Sequence, residues 1–337
     1  MRNMDKLKLS AYEIIEVRKI ADIESMGYIL RHKKSGARVC VISNEDDNKV
    51  FSIGFRTPPE DETGVPHIIE HTTLCGSDKF PVKDPFIELA KGSLNTFLNA
   101  MTYPEKTLYP VASYNERDFK NLMEVYLDAV FHPNITKYKE IFMQEGWHYE
   151  LESAQAPLKY NGVVYNEMKG AYSSPDDVLN RYCLNSLYPD TAYSVESGGD
   201  PDSIPDLSYE DFLAFHKKLY HPSNSYIYLY GNCDMAERLE YLDREYLSHY
   251  DCMKVDSEIK TQKPFESMHR VEAQYSVTED EGISGRTYLS YNLSVGDTLD
   301  KKLYIAMQIL DYALFSAPGA QVRQALIDAG IGDDIIC

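Results

Sequence analysis

Two histidines and a glutamate lie within five positions of one another in the first quarter of the chain. His67, Glu70 and His71 follow the order H-x-x-E-H in the segment GVPHIIEHTTLCG. On a helix, positions i, i+3 and i+4 share one face, so both imidazoles can reach a single metal ion. Because the chain has only nine histidines, a chance match is uncommon, and the pattern predicts a metal centre.

The chemistry of such a centre requires these residue types. Two neutral imidazoles and one carboxylate hold a catalytic zinc ion and leave a position open for water. A second carboxylate, which does not bind the metal, accepts the proton of that water as it attacks a carbonyl, and then delivers the proton to the leaving amine. The order found here is the inverzincin order, the reverse of H-E-x-x-H. It predicts one Zn²⁺ per chain, held by His67 and His71 beside Glu70.

A third protein ligand must come from another part of the chain. Two glutamates on predicted helices are candidates, Glu145 in MQEGWHYE and Glu167 in GVVYNEMKG, and spacing alone does not choose between them. Cys75 follows His71 by four residues and so shares its helical face. Hydrolytic zinc sites pair histidine with carboxylate, so Cys75 is predicted to pack as a small buried side chain instead.

A strand and a turn precede the histidine segment and are expected to position it. KVFSIGFRTP has the pattern of a strand, and residues 61–64 form a polar turn. Pro66 is tolerated in the first turn of a helix, and Gly76 with Ser77 provides a stop. A helix is therefore predicted over residues 67–75.

The order of the remaining elements indicates an α+β fold. Strand-like runs cluster in the first 113 residues, and long amphipathic segments follow, among them NERDFKNLMEVYLDAVF with Asn115 as its cap. Strands and helices are segregated and do not alternate strictly, which favours a largely antiparallel sheet packed with helices.

A polar stretch near residue 253 predicts the domain organisation. Residues 1–252 form the predicted catalytic domain, and residues 253–264, which include KVDSEIKTQKP, form a linker. A new cycle then begins over residues 265–337, with HRVEAQYSV and GRTYLSYNLS as strands and DKKLYIAMQILDYALF and QVRQALIDAG as helices. This is too little for a complete domain, so we expect an incomplete second domain of the same type.

Composition limits the classes of binding partner and the cellular compartments that suit this protein. A net charge of −19 repels nucleic acid and anionic membranes and suits basic peptides. The sequence has no apolar run long enough to span a membrane and no secretory signal pattern, and its six cysteines are scattered as expected for reduced thiols. These features predict a cytoplasmic protein, for which a bacterial cytoplasm fits, while a processed organellar protein would have the same composition.

Four separated blocks together resemble one peptidase family. They are HIIEHTTLCGSDKFPVKDPF, SLNTFLNAMTYPEKTLYPVAS, QEGWHYEL and NGVVYNEMKGAYSSPDD, in this order. The resemblance is to the presequence protease branch of the pitrilysin and insulin-degrading-enzyme family, and it runs from about Leu9 to the end. It implies a pitrilysin-type (LuxS/metallohydrolase-like) domain and a zinc metallo-endopeptidase that hydrolyses short unstructured peptides inside a closed chamber.

The resemblance also implies roles for individual residues. His67 and His71 would be zinc ligands and Glu70 the general base that activates the zinc-bound water. Glu167, in the VVYNEMKG block, would be the third ligand, a choice that rests on the family pattern. An edge strand carrying Asn99, Ala100 and Met101 would bind the substrate backbone by β-augmentation, a role that a strand before a Tyr-Pro turn permits.

The family pattern extends beyond this sequence. Its members have two related halves, and the second half contributes an arginine and a tyrosine that bind substrate, so a C-terminal half is an expected partner that is absent here. The sequence therefore resembles an N-terminal portion, for which we expect zinc binding, weak peptide hydrolysis and self-association through apolar faces of residues 303–315. The alternative is a non-catalytic structural or substrate-presenting relative, although such relatives generally have damaged zinc motifs.

Overall fold

The computed structural model describes residues 9–278, 280, 282–331 and 335, and the chain divides at Tyr288 into two compact units. The strands are β1 Tyr12–Ile20, β2 Ser25–His32, β3 Arg38–Ser43, β4 Lys49–Arg56, β5 Asn95–Leu98, β6 Met101–Thr102, β7 Lys106–Ser113, β8 His148–Glu150, β9 Lys159–Asn161 and β10 Ser225–Gly231. The helices are α1 Val65–Thr73, α2 Pro85–Gly92, α3 Glu116–Phe131, α4 Lys139–Glu145, α5 Val163–Ala171, α6 Pro175–Leu187, α7 Tyr209–Leu219, α8 Met235–Glu245, α9 Lys301–Asp311 and α10 Gln321–Asp328.

One large sheet organises the first unit. Its strand order is β1-β2-β3-β10-β4-β7-β5, and β6 pairs with β7 beside β5. Every pairing in this sheet is antiparallel except that of β10 with β3. The prediction of a largely antiparallel sheet packed with helices is thus confirmed.

The core lies between the sheet and the helix α3. On β4, Phe51, Ile53 and Phe55 alternate along one face and are buried, as the two-residue period of a strand requires. The predicted apolar stripe of α3 is entirely buried, and its members are Phe119, Leu122, Met123, Tyr126, Leu127 and Val130. The helix begins where expected, because the side chain of Asn115 accepts hydrogen bonds from the backbone N–H groups of Arg117 and Asp118.

Helix α1 follows β4 through the predicted polar turn. It begins at Val65, two residues before the predicted start, with Pro66 in its first turn. The apolar side chains of Ile68 and Ile69 are fully buried. Because burial fixes which face points inward, the face that carries the two histidines is turned away from the core.

Two segments predicted as strands, residues 269–277 and 285–294, are not strands in the described part of the chain. Their alternation of apolar and polar residues was the basis for the prediction. A strand also needs a neighbouring strand to accept its ladder of hydrogen bonds, and among the described residues no strand pairs with either segment. Side chains such as Tyr291 and Leu293 are correspondingly exposed.

Between residues 253 and 300 the described residues form no helix or strand, but the first part of this segment is anchored to the body of the first unit. The backbone N–H of Met253 donates to Ser223 Oγ, and Ser257 Oγ donates to Asn224 Oδ1 at 2.6 Å. Ser257 is buried. The linker and domain boundaries predicted from the sequence remain predictions.

The second unit, residues 289–337, contains two helices among its described residues. Helix α9 continues into a short π-helical turn over Tyr312–Ser316, and α10 follows after a loop. Ile305 and Ile309 on α9 are more than half exposed. Within the described residues of both units, no helix has the length and apolar character needed to cross a membrane.

Candidate metal centre

The two faces of α1 have opposite character. Ile68, Ile69 and Thr72 are fully buried, whereas His67 and His71 retain some solvent exposure, with 12% and 24% of their side chains accessible. The residue order V-P-H-I-I-E-H-T-T therefore sorts apolar groups toward the core and metal-binding types toward the opposite face. The local sequence alone is sufficient to predict this division.

The cluster is completed by a glutamate from α5. Oε2 of Glu167 lies 3.9 Å from Nε2 of His67 and 3.6 Å from Nε2 of His71. One ligand atom from each of these three residues lies within 4.8 Å of the others. The imidazole rings meet edge to face, with centroids 4.9 Å apart. The Glu167 side chain is 55% exposed, so the cluster is open to solvent on this side.

The other ring nitrogen of each histidine has its own acceptor. His67 Nδ1 lies 3.2 Å from the carbonyl oxygen of Gly198, and His71 Nδ1 lies 3.3 Å from Oε2 of Glu145. Neither oxygen can donate, so each Nδ1 carries the proton in these hydrogen bonds. When each ring is neutral, as metal coordination requires, its unprotonated Nε2 atom faces Glu167.

The pairing of His71 with Glu145 changes the proton affinity of both groups. Burial lowers the pKa of His71, but the hydrogen bond to Glu145 and the charges of Glu70, Glu145 and Glu167 together hold it above its usual value. Burial raises the pKa of Glu145, and its hydrogen bonds to His71 and Gln144 outweigh this and lower it. Both shifts favour the ion pair over the neutral pair.

The two candidate third ligands are thus separated by their positions. Glu145 ends α4 and contacts the Nδ1 side of His71, whereas Glu167 lies among the Nε2 atoms. Cys75 donates its thiol to the carbonyl oxygen of His71, and burial together with the nearby charge of Glu145 raises the pKa of this thiol well above its usual value. The thiol is therefore held in its neutral form and is not part of the cluster.

The predicted general base is held by a residue that the sequence did not single out. Thr102, on β6, donates a hydrogen bond of 2.7 Å to Oε2 of Glu70. One carboxylate oxygen of Glu70 is thus occupied, and the bond fixes the direction of the other. The only sequence signal was the position of Thr102 directly after the predicted substrate-binding segment.

The segment predicted to bind substrate lies where β5 ends and β6 begins. β5 is the last strand in the sheet order, and β7 is the one described strand that pairs with β6, so this segment follows the sheet edge. Asn99 N–H donates to the Pro110 carbonyl, and the carbonyl of Asn99 accepts from the hydroxyl of Tyr126. Ala100 N–H donates to the Asn99 side chain. Met101 is the first residue of β6 and pairs with Leu108, so all three predicted residues, Asn99, Ala100 and Met101, lie at the edge.

Helix α5 is placed by a close approach of two backbone segments. A Cβ atom at Gly162 would lie 2.1 Å from the carbonyl oxygen of Gly146, so only glycine fits at this position. Gly146 follows α4 directly, and Gly162 precedes α5 directly. The contact fixes the start of the helix that carries Glu167 relative to the helix that carries Glu145.

A second glycine contact places the acceptor of His67. Gly64 and Gly199 have left-handed backbone conformations, with φ of 69° and 98°, and a Cβ on either would lie 2.8 Å from the Cα of the other. The loop that contains Gly198 therefore packs directly on the residue that precedes α1. The Gly-Gly pair in SVESGGD is the sequence signal for this contact, but it does not indicate the partner.

Comparison with known proteins places these features in a family. Residues 50–172 match the model of the insulinase family of peptidases, M16, and residues 206–337 match the model of the M16 peptidase inactive domain. Protein HypA of Clostridium perfringens is 57% identical over 96% of this chain, and presequence protease 1 of Arabidopsis thaliana, chloroplastic/mitochondrial, is 44% identical over 98%. The chain spans about a third of the length of these relatives, 33% and 31% respectively.

The fold has a counterpart among solved structures. The crystal structure of pitrilysin superposes with a TM-score of 0.58 at 19% identity, covering 74% of this chain and 25% of pitrilysin. At this identity the likeness concerns the fold alone. Two M16 models match non-overlapping parts of the chain, and relatives named as presequence proteases match nearly all of it. From this agreement of sequence and fold, the chain belongs to the M16 family of peptidases, to which the insulinases and presequence proteases belong.

Proposed function

We propose that this chain forms the zinc-binding catalytic part of a metallo-endopeptidase that hydrolyses short unstructured peptides. The observation that carries the proposal is the convergence of His67, His71 and Glu167 at one point, with Glu70 on the same face of α1. Membership of the M16 peptidase family supports the reaction class.

The donor set suits zinc in type and in spacing. Zn–N and Zn–O bonds of about 2 Å put tetrahedral ligands about 3.3 Å apart. The two Nε2 atoms lie 3.6 and 3.9 Å from Glu167 Oε2, so small side-chain movements would bring the set to this spacing. Bound zinc would polarise the substrate carbonyl and lower the pKa of water.

Glu70 is proposed as the general base. Its carboxylate accepts a proton from the attacking water while the new C–O bond forms at the peptide carbonyl. The same carboxyl group then gives the proton to the departing nitrogen as the C–N bond breaks, so the carboxylate is regenerated. Thr102 supports this role because its hydrogen bond to one oxygen of Glu70 restrains the orientation of the carboxylate.

The edge formed by β6 is the proposed binding strand for the peptide backbone. Tyr103 N–H donates to the Lys106 carbonyl, so the alternation of an antiparallel ladder turns the backbone groups of Thr102 and the carbonyl of Ala100 outward, while the Ala100 N–H is bonded to Asn99 Oδ1. A peptide that pairs with this strand would run past Glu70, because Thr102 belongs to the edge strand and its hydroxyl donates to Glu70. The substrate-binding roles of Asn99, Ala100 and Met101 remain proposals on this basis.

Basic peptides are the proposed substrates because the chain carries a net charge of −19. The C-terminal half expected from the family pattern is the proposed partner, and without it we expect weak hydrolysis. Self-association through α9 is supported by the exposure of Ile305 and Ile309. The cytoplasmic location remains a prediction, with relatives in a bacterium and in plastids and mitochondria.

The alternative is a structural or substrate-presenting relative without catalysis. It is favoured only by the match of residues 206–337 to a domain described as inactive. That match does not include the segment that carries His67, Glu70, His71 and Glu167. All four side chains that the chemistry needs are present in the chain, so we place the catalytic proposal first.

The experiment that tests the proposal is zinc content per chain in the parent and two variants. We expect about one zinc in the parent and in Glu145→Gln, and a loss of zinc in Glu167→Gln, because only Glu167 lies at the Nε2 atoms. A Glu70→Gln variant should keep its zinc and lose peptide hydrolysis by at least 100-fold. A parent chain that binds no zinc would contradict the proposal.

A further inference from the structure

A partly buried arginine on α6 joins two segments that support the metal cluster. The side chain of Arg181 is only 12% exposed, and its NH1 group donates to Tyr172 Oη at 2.6 Å and to Asp200 Oδ2 at 2.8 Å. Tyr172 is the residue directly after α5, the helix of Glu167. Asp200 follows the Gly198-Gly199 pair that supplies the acceptor of His67.

The loop that ends at Asp200 is fastened to the start of α1 by its own hydrogen bonds. Asp200 N–H donates to the carbonyl of Glu62 at 2.8 Å, two residues before Gly64. Gly199 N–H lies in the same peptide group as the Gly198 carbonyl and donates to the carbonyl oxygen of Glu196 at 3.1 Å, which orients that peptide group. The carbonyl of Gly198 is therefore directed at His67 by contacts that surround Asp200.

Electrostatics explain why a cation is needed at this point. Asp200, Glu62 and Glu196 lie close together, and burial together with the charge of Asp200 raises the pKa of Glu62 even though Arg181 opposes the shift. Arg181 NH1 lies 3.9 Å from Glu62 Oε1 and 2.8 Å from Asp200 Oδ2. Without the guanidinium, neighbouring carboxylates would repel each other at the residues that hold the loop against α1.

We infer that Arg181 is a positioning residue of the metal centre: it ties the end of the Glu167 helix to the loop whose carbonyl sets the tautomer of His67. The inference rests on the proposed function in that zinc is the ion to be bound. It concerns Arg181 and the groups it bonds, which do not themselves bind the metal. A fixed hydrogen-bond acceptor behind a histidine ligand raises metal affinity by about 10- to 100-fold.

The first test compares zinc affinity in Arg181→Met with a matched control. Arg238 lies on α8, is buried, and pairs with Glu116 and Glu237. As with Arg181, its Nε atom has no hydrogen-bond partner among the described residues. By chelator competition, we expect the affinity to fall about 10- to 100-fold in Arg181→Met and to stay within about twofold in Arg238→Met. Equal affinities in the two variants would overturn the inference.

A milder pair of variants separates positioning from a general loss of folding. Arg181→Lys keeps the charge on a shorter side chain without the planar guanidinium, so it should restore part of the affinity lost in Arg181→Met. Asp200→Asn keeps the shape of the loop and removes the ion pair, so it should weaken zinc binding in the same direction. If Arg181→Met fails to fold, these two variants decide, and parent-like zinc affinity in both would overturn the inference.

The second test needs no metal and therefore separates the two proposals. Nitrogen-15 NMR of the metal-free protein reports which ring nitrogen of His67 carries the proton. We expect the Nδ1–H tautomer in the parent and in Arg238→Met, and a mixture of tautomers in Arg181→Met. The same tautomer in all three proteins would overturn the inference, whereas a parent that has this tautomer but binds no zinc would overturn only the proposed function.

Discussion

The hydroxyl of Thr102 donates a hydrogen bond of 2.7 Å to Glu70, so the edge of the sheet is joined directly to the helix that carries both histidines. Thr102 belongs to β6, and its side chain points toward α1 while its backbone lies at the open edge. One residue thus links the proposed base to the proposed position of the substrate. Removing the Thr102 hydroxyl should lower the rate of peptide hydrolysis more than it lowers zinc binding.

We predict that Thr102→Val lowers kcat/KM for an unstructured peptide about tenfold and leaves zinc content unchanged. The reason is that Glu70 loses the hydrogen bond that orients it, while no ligand is touched. The rate is measured at high enzyme concentration by mass spectrometry. Thr102→Ser should retain most of the activity. Thr96 lies on the neighbouring strand β5 and its hydroxyl donates to Asn48, so Thr96→Val serves as the control. Parent-like hydrolysis by Thr102→Val would contradict the prediction.

The His71–Glu145 pair predicts how the stability of the metal-free protein depends on pH. The raised pKa of His71 contributes stability below its unfolded value of about 6.5, and this is lost as pH rises through the folded value. The lowered pKa of Glu145 contributes stability above its unfolded value of about 4.3, and this is lost as pH falls through the folded value. The pair therefore stabilises most between about pH 4.3 and pH 6.5.

Glu145→Gln should accordingly lower the free energy of unfolding by about 1 kcal/mol more at pH 5.5 than at pH 8.5. Denaturant titrations in the presence of a chelator measure this difference. Glu140→Gln removes an exposed carboxylate from the same helix and should show no such pH dependence. An equal effect of Glu145→Gln at the two pH values would contradict the predicted stabilising contribution of the His71–Glu145 ion pair.

The packing of Gly199 on Gly64 predicts a large effect of one methyl group. Gly199→Ala forces a left-handed residue with a Cβ into contact with Gly64 and Ile204, which should cost about 2 kcal/mol of folding free energy and weaken zinc binding through Gly198. Gly92→Ala is the control, because it lies at the end of α2 with open space around its Cβ, and should stabilise by about 0.5 kcal/mol. Thermal unfolding measures the change in folding stability, and chelator competition measures the change in zinc affinity.

The anchored part of the chain after residue 252 predicts where a protease cuts first. The hydrogen bonds of Met253 and Ser257 hold this part against the body of the first unit, so trypsin should cleave after Arg270 before it cleaves after Lys260, and the Lys263–Pro264 bond should resist trypsin. Lys260 is already exposed, so Ser257→Ala should act by releasing the backbone around Lys260 and should bring cleavage there forward to the same time as cleavage after Arg270. First cuts inside residues 12–250 would contradict the predicted boundary between the domains.

Local pattern predicted most elements because their causes are local. The buried Ile68 and Ile69 fix the face of α1, and Asn115 caps α3, where the sequence placed both. The residues that orient the site were not predictable in this way. Gly198 contacts His67 across 131 positions, and Thr102 contacts Glu70 across 32, so no periodic signal connects them. The two candidate ligands, Glu145 and Glu167, likewise differ only in which ring nitrogen they face.

The position of β10 has a consequence for the order in which the protein can fold. Arg38 on β3 pairs with Tyr226 on β10, 188 positions later, and β10 also separates β3 from β4. The two halves of the sheet therefore remain unjoined on the ribosome until residues 225–231 have emerged. Helix α1, which follows β4, is synthesised long before this closure, and contacts of such long range slow folding. The sheet beneath the helix that carries His67 and His71 is therefore completed only after a strand more than 150 residues later in the chain has been synthesised.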